Sequence, residues 1–188
     1  MKIILASASP RRKELMNMIT SDFSVICSDV DESVPEDMPP EEAPCFLADL
    51  KASAVATQHP DAIVIGCDTS VFSQGEMLGK PANAKDAARM LRMLSNSEHK
   101  VITGCCICLG DKKVLFDRVT KVRFFPLTEN EIEEYIATGE PLDKAGAYGI
   151  QGKGSLLVSE IYGDYFNVVG LPVSLLKREL DKFIADIK

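Results

Sequence analysis

Five short segments put charged side chains beside serine, glycine or proline where apolar runs stop. The first, Ser7-Ala8-Ser9-Pro10-Arg11-Arg12, follows the run Ile3-Ile4-Leu5-Ala6. Ser9 suits a helix N-cap and Pro10 the first helical position. The turn thus offers hydroxyls, backbone N–H groups and a favourable helix dipole, with two guanidiniums able to grip a phosphate through paired hydrogen bonds. Cations in a first helical turn oppose the dipole preference. The same residues would also make a capped surface helix with solvated arginines. In Gly66-Cys67-Asp68-Thr69 a carboxylate closes an apolar run. It could take a proton from water, hold a divalent cation, or simply make a turn. Gly79-Lys80-Pro81 allows close backbone approach beside a lysine, and reads equally as a plain turn. Residues 139–154 carry Gly139, Gly146, Gly149, Gly152 and Gly154 with little periodicity, which is costly to order unless a ligand approaches the backbone. The fifth segment, 163–172, is a turn with Asn167 embedded in it.

The surrounding pattern alternates strands and helices. Residues 2–6 predict a buried strand, 11–19 a helix with Leu15, Met18 and Ile19 on one face, and 23–27 a second strand. The acidic, proline-rich stretch 28–40 predicts a mobile loop. Helices are expected over 41–57, over 84–94 behind an Asn83 cap, from a capping box at Thr128-Glu129-Asn130-Glu131 to Gly139, and over 171–187. Strands are expected over 63–67 and 156–161. Two hairpins are expected, one across Ser73-Gln74-Gly75 and one joining 100–109 to 113–124. Strands alternating with helices, with hairpins inserted, predict an α/β fold with a mixed sheet. One domain over residues 1–188 with a cleft is the economical organisation. The chain can bury roughly 70% of its unfolded surface without a staple.

The formal net charge of −7 argues against a binding partner such as DNA, RNA or an anionic membrane. The apolar start is too short for a signal-peptide core, and no run reaches membrane-spanning length. Cys27, Cys45, Cys67, Cys105, Cys106 and Cys108 form no CxxC and stand apart from His59 and His99. They predict buried thiols in a reducing cytoplasm rather than a zinc site. Cys105-Cys106-Ile107-Cys108 reads as a core strand.

Taken together and in order from Ser7 to Pro172, these segments resemble the Maf family of nucleoside triphosphate pyrophosphatases. The segments are Ser-Ala-Ser-Pro-Arg-Arg, Gly-Cys-Asp-Thr, Gly-Lys-Pro, Asp-Lys-Ala-Gly-Ala-Tyr-Gly-Ile-Gln-Gly and Asn-Val-Val-Gly-Leu-Pro. Any one alone is weak; all five cover essentially the whole chain. The resemblance implies an elongated, mixed α/β sheet flanked by helices, with two lobes around a central cleft, of the Maf/ITPase-like kind. It also implies cytoplasmic location, a homodimer, and hydrolysis between the α and β phosphates with a divalent cation, Mg2+ or Mn2+. Carried over by motif position, Ser7, Arg11, Arg12, Glu32, Lys51 and Lys80 would bind substrate. Asp68 would be the catalytic proton acceptor, and Glu32 and Asp68 would hold the metal. On residue type alone Glu32 is one acid among several and Lys51 a lysine on a solvated helix face. A triphosphate carries about four negative charges, most of which Arg11, Arg12, Lys51 and Lys80 would offset.

Within that resemblance, Arg11, Thr69 and Gln151 fall at positions implied to set specificity. The branch acting on dTTP and UTP pairs Thr after the catalytic Asp with Gln in the glycine loop; the branch acting on 7-methyl-GTP has Gln and Glu there. A Gln amide both donates and accepts, matching the carbonyl and N3–H edge of uracil or thymine, whereas an ionised Glu only accepts. dTTP and UTP are the expected substrates, with modified pyrimidine nucleotides as a house-cleaning variant. The alternatives are a 7-methyl-GTP pyrophosphatase and a non-catalytic nucleotide-binding regulator of septum formation.

Overall fold

The computed structural model describes residues 1–187. Seven strands make one mixed sheet: β1 (Ile3–Ala6), β2 (Ser24–Val25), β3 (Ile63–Ser73), β4 (Glu76–Leu78), β5 (Glu98–Leu109), β6 (Lys112–Phe124) and β7 (Val158–Tyr162). The order is β2-β1-β3-β5-β6-β7, with β4 on β3. β1 runs parallel to β2 and β3, while β4 and β7 pair antiparallel with β3 and β6. The helices are α1 (Pro10–Met16), α2 (Ala43–Gln58), α3 (Ala84–Leu94), α4 (Glu129–Ala137), α5 (Tyr165–Val169) and α6 (Val173–Asp186). The mixed α/β class expected from the sequence is the one observed. Among the described residues, no helix is long and apolar enough to cross a membrane.

The chain divides into two compact units. One holds the residues up to Asp68, Thr103–Arg118 and the chain from Gly170 onward; the other holds Thr69–Ile102 and Val119–Val169.

In the first unit, α2 lies on a sheet face made by Ile4, Ala6, Val64, Cys106 and Cys108, packing Ala48, Ala52, Val55 and Ala56 against them. Small residues set how closely the helix approaches. A Cβ on Gly66 would fall 2.2 Å from the Ala48 carbonyl oxygen, and one on Gly104 would fall 2.4 Å from that of Pro44. Only glycine leaves room for the helix backbone at these points. Cys67, Cys105, Cys106 and Cys108 are buried, as read from their apolar runs, whereas Cys27 is exposed and Cys45 partly so.

In the second unit, α3 and α4 share a core with Val71, Leu78, Val122, Phe124, Ala147 and Tyr148. The caps are those the sequence specifies: Asn83 Oδ1 accepts from the Asp86 amide at 3.0 Å, and Thr128 and Glu131 close a capping box. The glycine-rich stretch is ordered as three short 3-10 segments, Glu140–Asp143, Ala145–Ala147 and Gly152–Leu157. The turn expected over 163–172 contains α5, whose Asn167 is fully buried and donates to the Val101 carbonyl and Thr120 Oγ1, each at 3.0 Å. That asparagine ties strands together, which explains its place in the motif.

Two boundaries differ from expectation in ways that matter. The strand expected to stop at Cys67 continues through Asp68 and Thr69 to Ser73, where β4 pairs with its far end. Asp68 is therefore a strand residue, and its reading as a turn is corrected. α1 ends at Met16 rather than Ile19, because the chain turns over Met18–Thr20 through bonds to the Leu15 and Met16 carbonyls.

Candidate active site

β1 and β3 run parallel in a register that sets Ala6 opposite Gly66. Ser7 and Asp68 therefore come just beyond the paired segment, at the carboxyl end of adjacent parallel strands, where open α/β sheets bind ligands. β1 stops there and feeds α1, while β3 goes on with β5 as its other neighbour, so Asp68 sits where the sheet loses its β1 edge.

Successive side chains of a strand alternate in direction, so Asp68 faces the same side as Gly66, the side that α2 covers. On α2, Ala48, Lys51, Ala52 and Val55 recur at helical spacing. The close approach at Gly66 brings this face down on the sheet, and Lys51 Nζ meets Asp68 Oδ1 at 2.8 Å and Glu32 Oε2 at 2.7 Å. Lys51 is 8% exposed. This corrects the reading of Lys51 as a solvated-face lysine. A buried ammonium needs counter-charges, and two carboxylates supply them. Glu32, from the acidic loop, remains exposed, whereas the Asp68 side chain is largely covered.

The second group of side chains gathers at the start of α1. Ser9 caps the helix by accepting from the Arg12 amide at 3.4 Å, and the Ser9 amide donates to Ser7 Oγ at 3.3 Å. The Arg12 guanidinium bonds Ser7 Oγ at 3.4 Å and, through Nε, the Gly170 carbonyl at 2.9 Å. Gly170 fixes Arg12 in a way the sequence did not flag, although the Gly-Leu-Pro motif around it was singled out. Arg11 lies half-buried in the first turn of α1. Ser7, Arg12, Glu32, Lys51 and Asp68 thus form two bonded groups within one unit.

Thr69, Lys80 and Gln151 belong to the other unit. Lys80 is exposed, and its neighbour Gly79 accepts a hydrogen bond from the Gly146 amide at 3.1 Å, tying the Gly-Lys-Pro turn to the glycine loop. Gln151 is exposed beside buried Ile150. Around it, Tyr135 and Glu140, which sequence reasoning passed over, hold the loop backbone. The Tyr135 hydroxyl accepts from the Gly149 amide at 3.0 Å and donates to Glu140 Oε1 at 3.0 Å. Burial raises the Tyr135 phenol above its ordinary range, so it stays protonated. No periodicity marks Glu140; the only signal is its place directly after Gly139, which ends α4 with φ +74°. Tyr148 packs edge-on against His99 and Phe124, and its hydroxyl lies 2.8 Å from His99 Nε2.

The donors suit a hard divalent cation. Glu32 and Asp68 supply carboxylate oxygens, and Mg2+ is commonly held by one or two carboxylates together with substrate phosphates and water. Among the described residues, no group of three His, Cys, Asp or Glu is arranged to hold a metal ion. Cys67 adjoins Asp68, but its thiol faces that of Cys105 at 3.7 Å, where their hydrogen bond and burial push the Cys105 thiol well above its ordinary range.

Two Ham1 structures share the fold. The Staphylococcus aureus protein aligns with a TM-score of 0.53 at 16% identity, and that from Coxiella burnetii with 0.56 at 13% identity. Each covers 97% of this chain and 99% of the other. The chain belongs to the Maf family: the match to Maf-like protein spans residues 2–183. Relatives from Bacillus velezensis and Geobacillus sp. strain WCH70, each named dTTP/UTP pyrophosphatase, are 52% identical. The alignments cover 97% of this chain and 96% of the first relative, and 96% of this chain and 97% of the second.

Proposed function

We propose that this chain is a nucleoside triphosphate pyrophosphatase that hydrolyses dTTP and UTP to the monophosphate and pyrophosphate. The observation that carries this reading is 52% identity over nearly the whole chain to relatives bearing that name. The charge arrangement supports it. The α1 start, with Ser7, Arg11 and Arg12, presents donors for phosphate oxygens, and Lys80 adds an exposed ammonium. Lys51 occupies Asp68 Oδ1, leaving Oδ2 to take the proton of the attacking water. Glu32 and Asp68 would hold Mg2+ or Mn2+, which when bound screens phosphate charge and stabilises the leaving pyrophosphate. The Gln151 amide, with Thr69, reads the donor and acceptor edge of the pyrimidine. The six free thiols agree with a cytoplasmic location.

Product analysis tests the reaction. With dTTP and magnesium, dTMP and pyrophosphate are expected; dTDP and orthophosphate would overturn the reading. Initial rates with UTP, CTP and 7-methyl-GTP test the base, and a preference for 7-methyl-GTP would reject the role given to Gln151.

A further inference from the structure

We infer that Glu140, seated on Tyr135, is a positioning residue that fixes where the Gln151 amide points and thereby sets selectivity for the base; this rests on the pyrophosphatase reading above. The Glu140 carboxylate accepts from the Gly154 amide on Oε1 at 3.1 Å and from the Lys153 amide on Oε2 at 3.1 Å, in addition to the Tyr135 hydroxyl. The same hydroxyl holds the Gly149 amide. Gln151 is thus bracketed by pinned amides before and after it, and Ile150 beside it is anchored by burial. Glu140 is itself fixed: its amide donates to Thr138 Oγ1 at 3.1 Å, and its carbonyl accepts from Lys144 Nζ at 2.6 Å.

The backbone is built around this carboxylate. Gly152 has φ +66°, and a Cβ there would lie 2.8 Å from Glu140 Oε2, so glycine is required on both counts. What the network orders is exposed: Gln151, Gly152 and Lys153 bury no apolar surface that would reward holding them still. The product of three hydrogen bonds to one carboxylate is a defined position for an exposed amide. Selectivity between bases needs that definition, because a reader free to shift can pair with the wrong edge.

The test compares the full-length protein with Glu140→Gln, Tyr135→Phe, Gln151→Ala and the Glu140→Gln/Gln151→Ala double variant. Glu140→Gln keeps the shape and turns an acceptor into an N–H2 facing a backbone N–H. Expected is a rise of about tenfold in KM for dTTP and UTP with kcat within about twofold, and a matching fall in preference over CTP. Tyr135→Phe should give the same split, and it carries the test if Glu140→Gln does not fold. Inhibition by inorganic tripolyphosphate, which has no base, should not change, and Glu140→Gln should add nothing in the Gln151→Ala background. Exchange at the Gly149, Lys153 and Gly154 amides should accelerate. Equal losses in kcat and in tripolyphosphate inhibition, or effects of Glu140→Gln and Gln151→Ala that multiply, would overturn the inference. Wild-type protein that releases no pyrophosphate would instead overturn the reading of function, with amide exchange still reporting the clamp.

Discussion

Lys51 stands between two carboxylates with almost no solvent to screen it, so its removal changes more than one charge. Without the ammonium, Glu32 and Asp68 lose their shared partner and Asp68 is no longer held in one orientation. Lys51→Met is expected to lower kcat about 100-fold, and Asp68→Asn by about 10²–10⁴-fold, the range for loss of a general base. Pyrophosphate release under saturating dTTP measures both. The residue types at this site were largely readable from the sequence: Ser9 and Pro10 announce a helix start, and Asp68 ends an apolar run. Lys51 was readable only through the family resemblance. Its burial depends on how closely α2 approaches Gly66, a partner distant in sequence, and nothing near position 51 encodes that distance.

Gly66 governs that approach at the scale of whole elements. A methyl group at this position meets the Ala48 carbonyl, which belongs to backbone and cannot rotate aside. Gly66→Ala should therefore lift α2, cost about 1–3 kcal/mol of stability, and reduce kcat by withdrawing Lys51 from Asp68. Urea denaturation and dTTP turnover measured on the same preparation check the two effects together. Elements with local signals matched their expected positions, notably α3 and α4, whose caps lie within a few residues of their starts. The continuation of β3 through Asp68, Thr69 and Ser70 was hidden because its neighbour in the sheet, rather than local pattern, sustains it there, whereas the hairpin with β4 at its far end was expected. The order within 139–157 was hidden for a similar reason: it comes from Tyr135 and Glu140, and glycines report only where the backbone is free to bend.

Across the molecule, one buried group links stability to pH. His99 is 2% exposed, and burial lowers its imidazole pKa to about 4, from an ordinary 6.5. Glu98 opposes this shift weakly, and the Tyr148 hydroxyl is its hydrogen-bond partner. Between these two values the unfolded chain binds a proton that the folded chain refuses, so stability falls as pH drops below about 6.5 and is unaffected above it. From pH 7.5 to 5 the histidine should contribute a loss of about 2 kcal/mol. His99→Gln, which stays neutral and can still accept from Tyr148, should remove that part of the slope. Urea midpoints of both proteins at the two pH values decide it. Time scales follow from a different feature. The bonds from Tyr135 to Gly149 and from Glu140 to Gly154 each join residues 14 positions apart. Segments this short reclose in roughly 10–100 ns, far faster than the typical enzyme cycle of about 10 per second. The loop that carries Gln151 therefore heals any momentary breach within a tiny fraction of such a cycle, so an incoming molecule meets it in its closed shape.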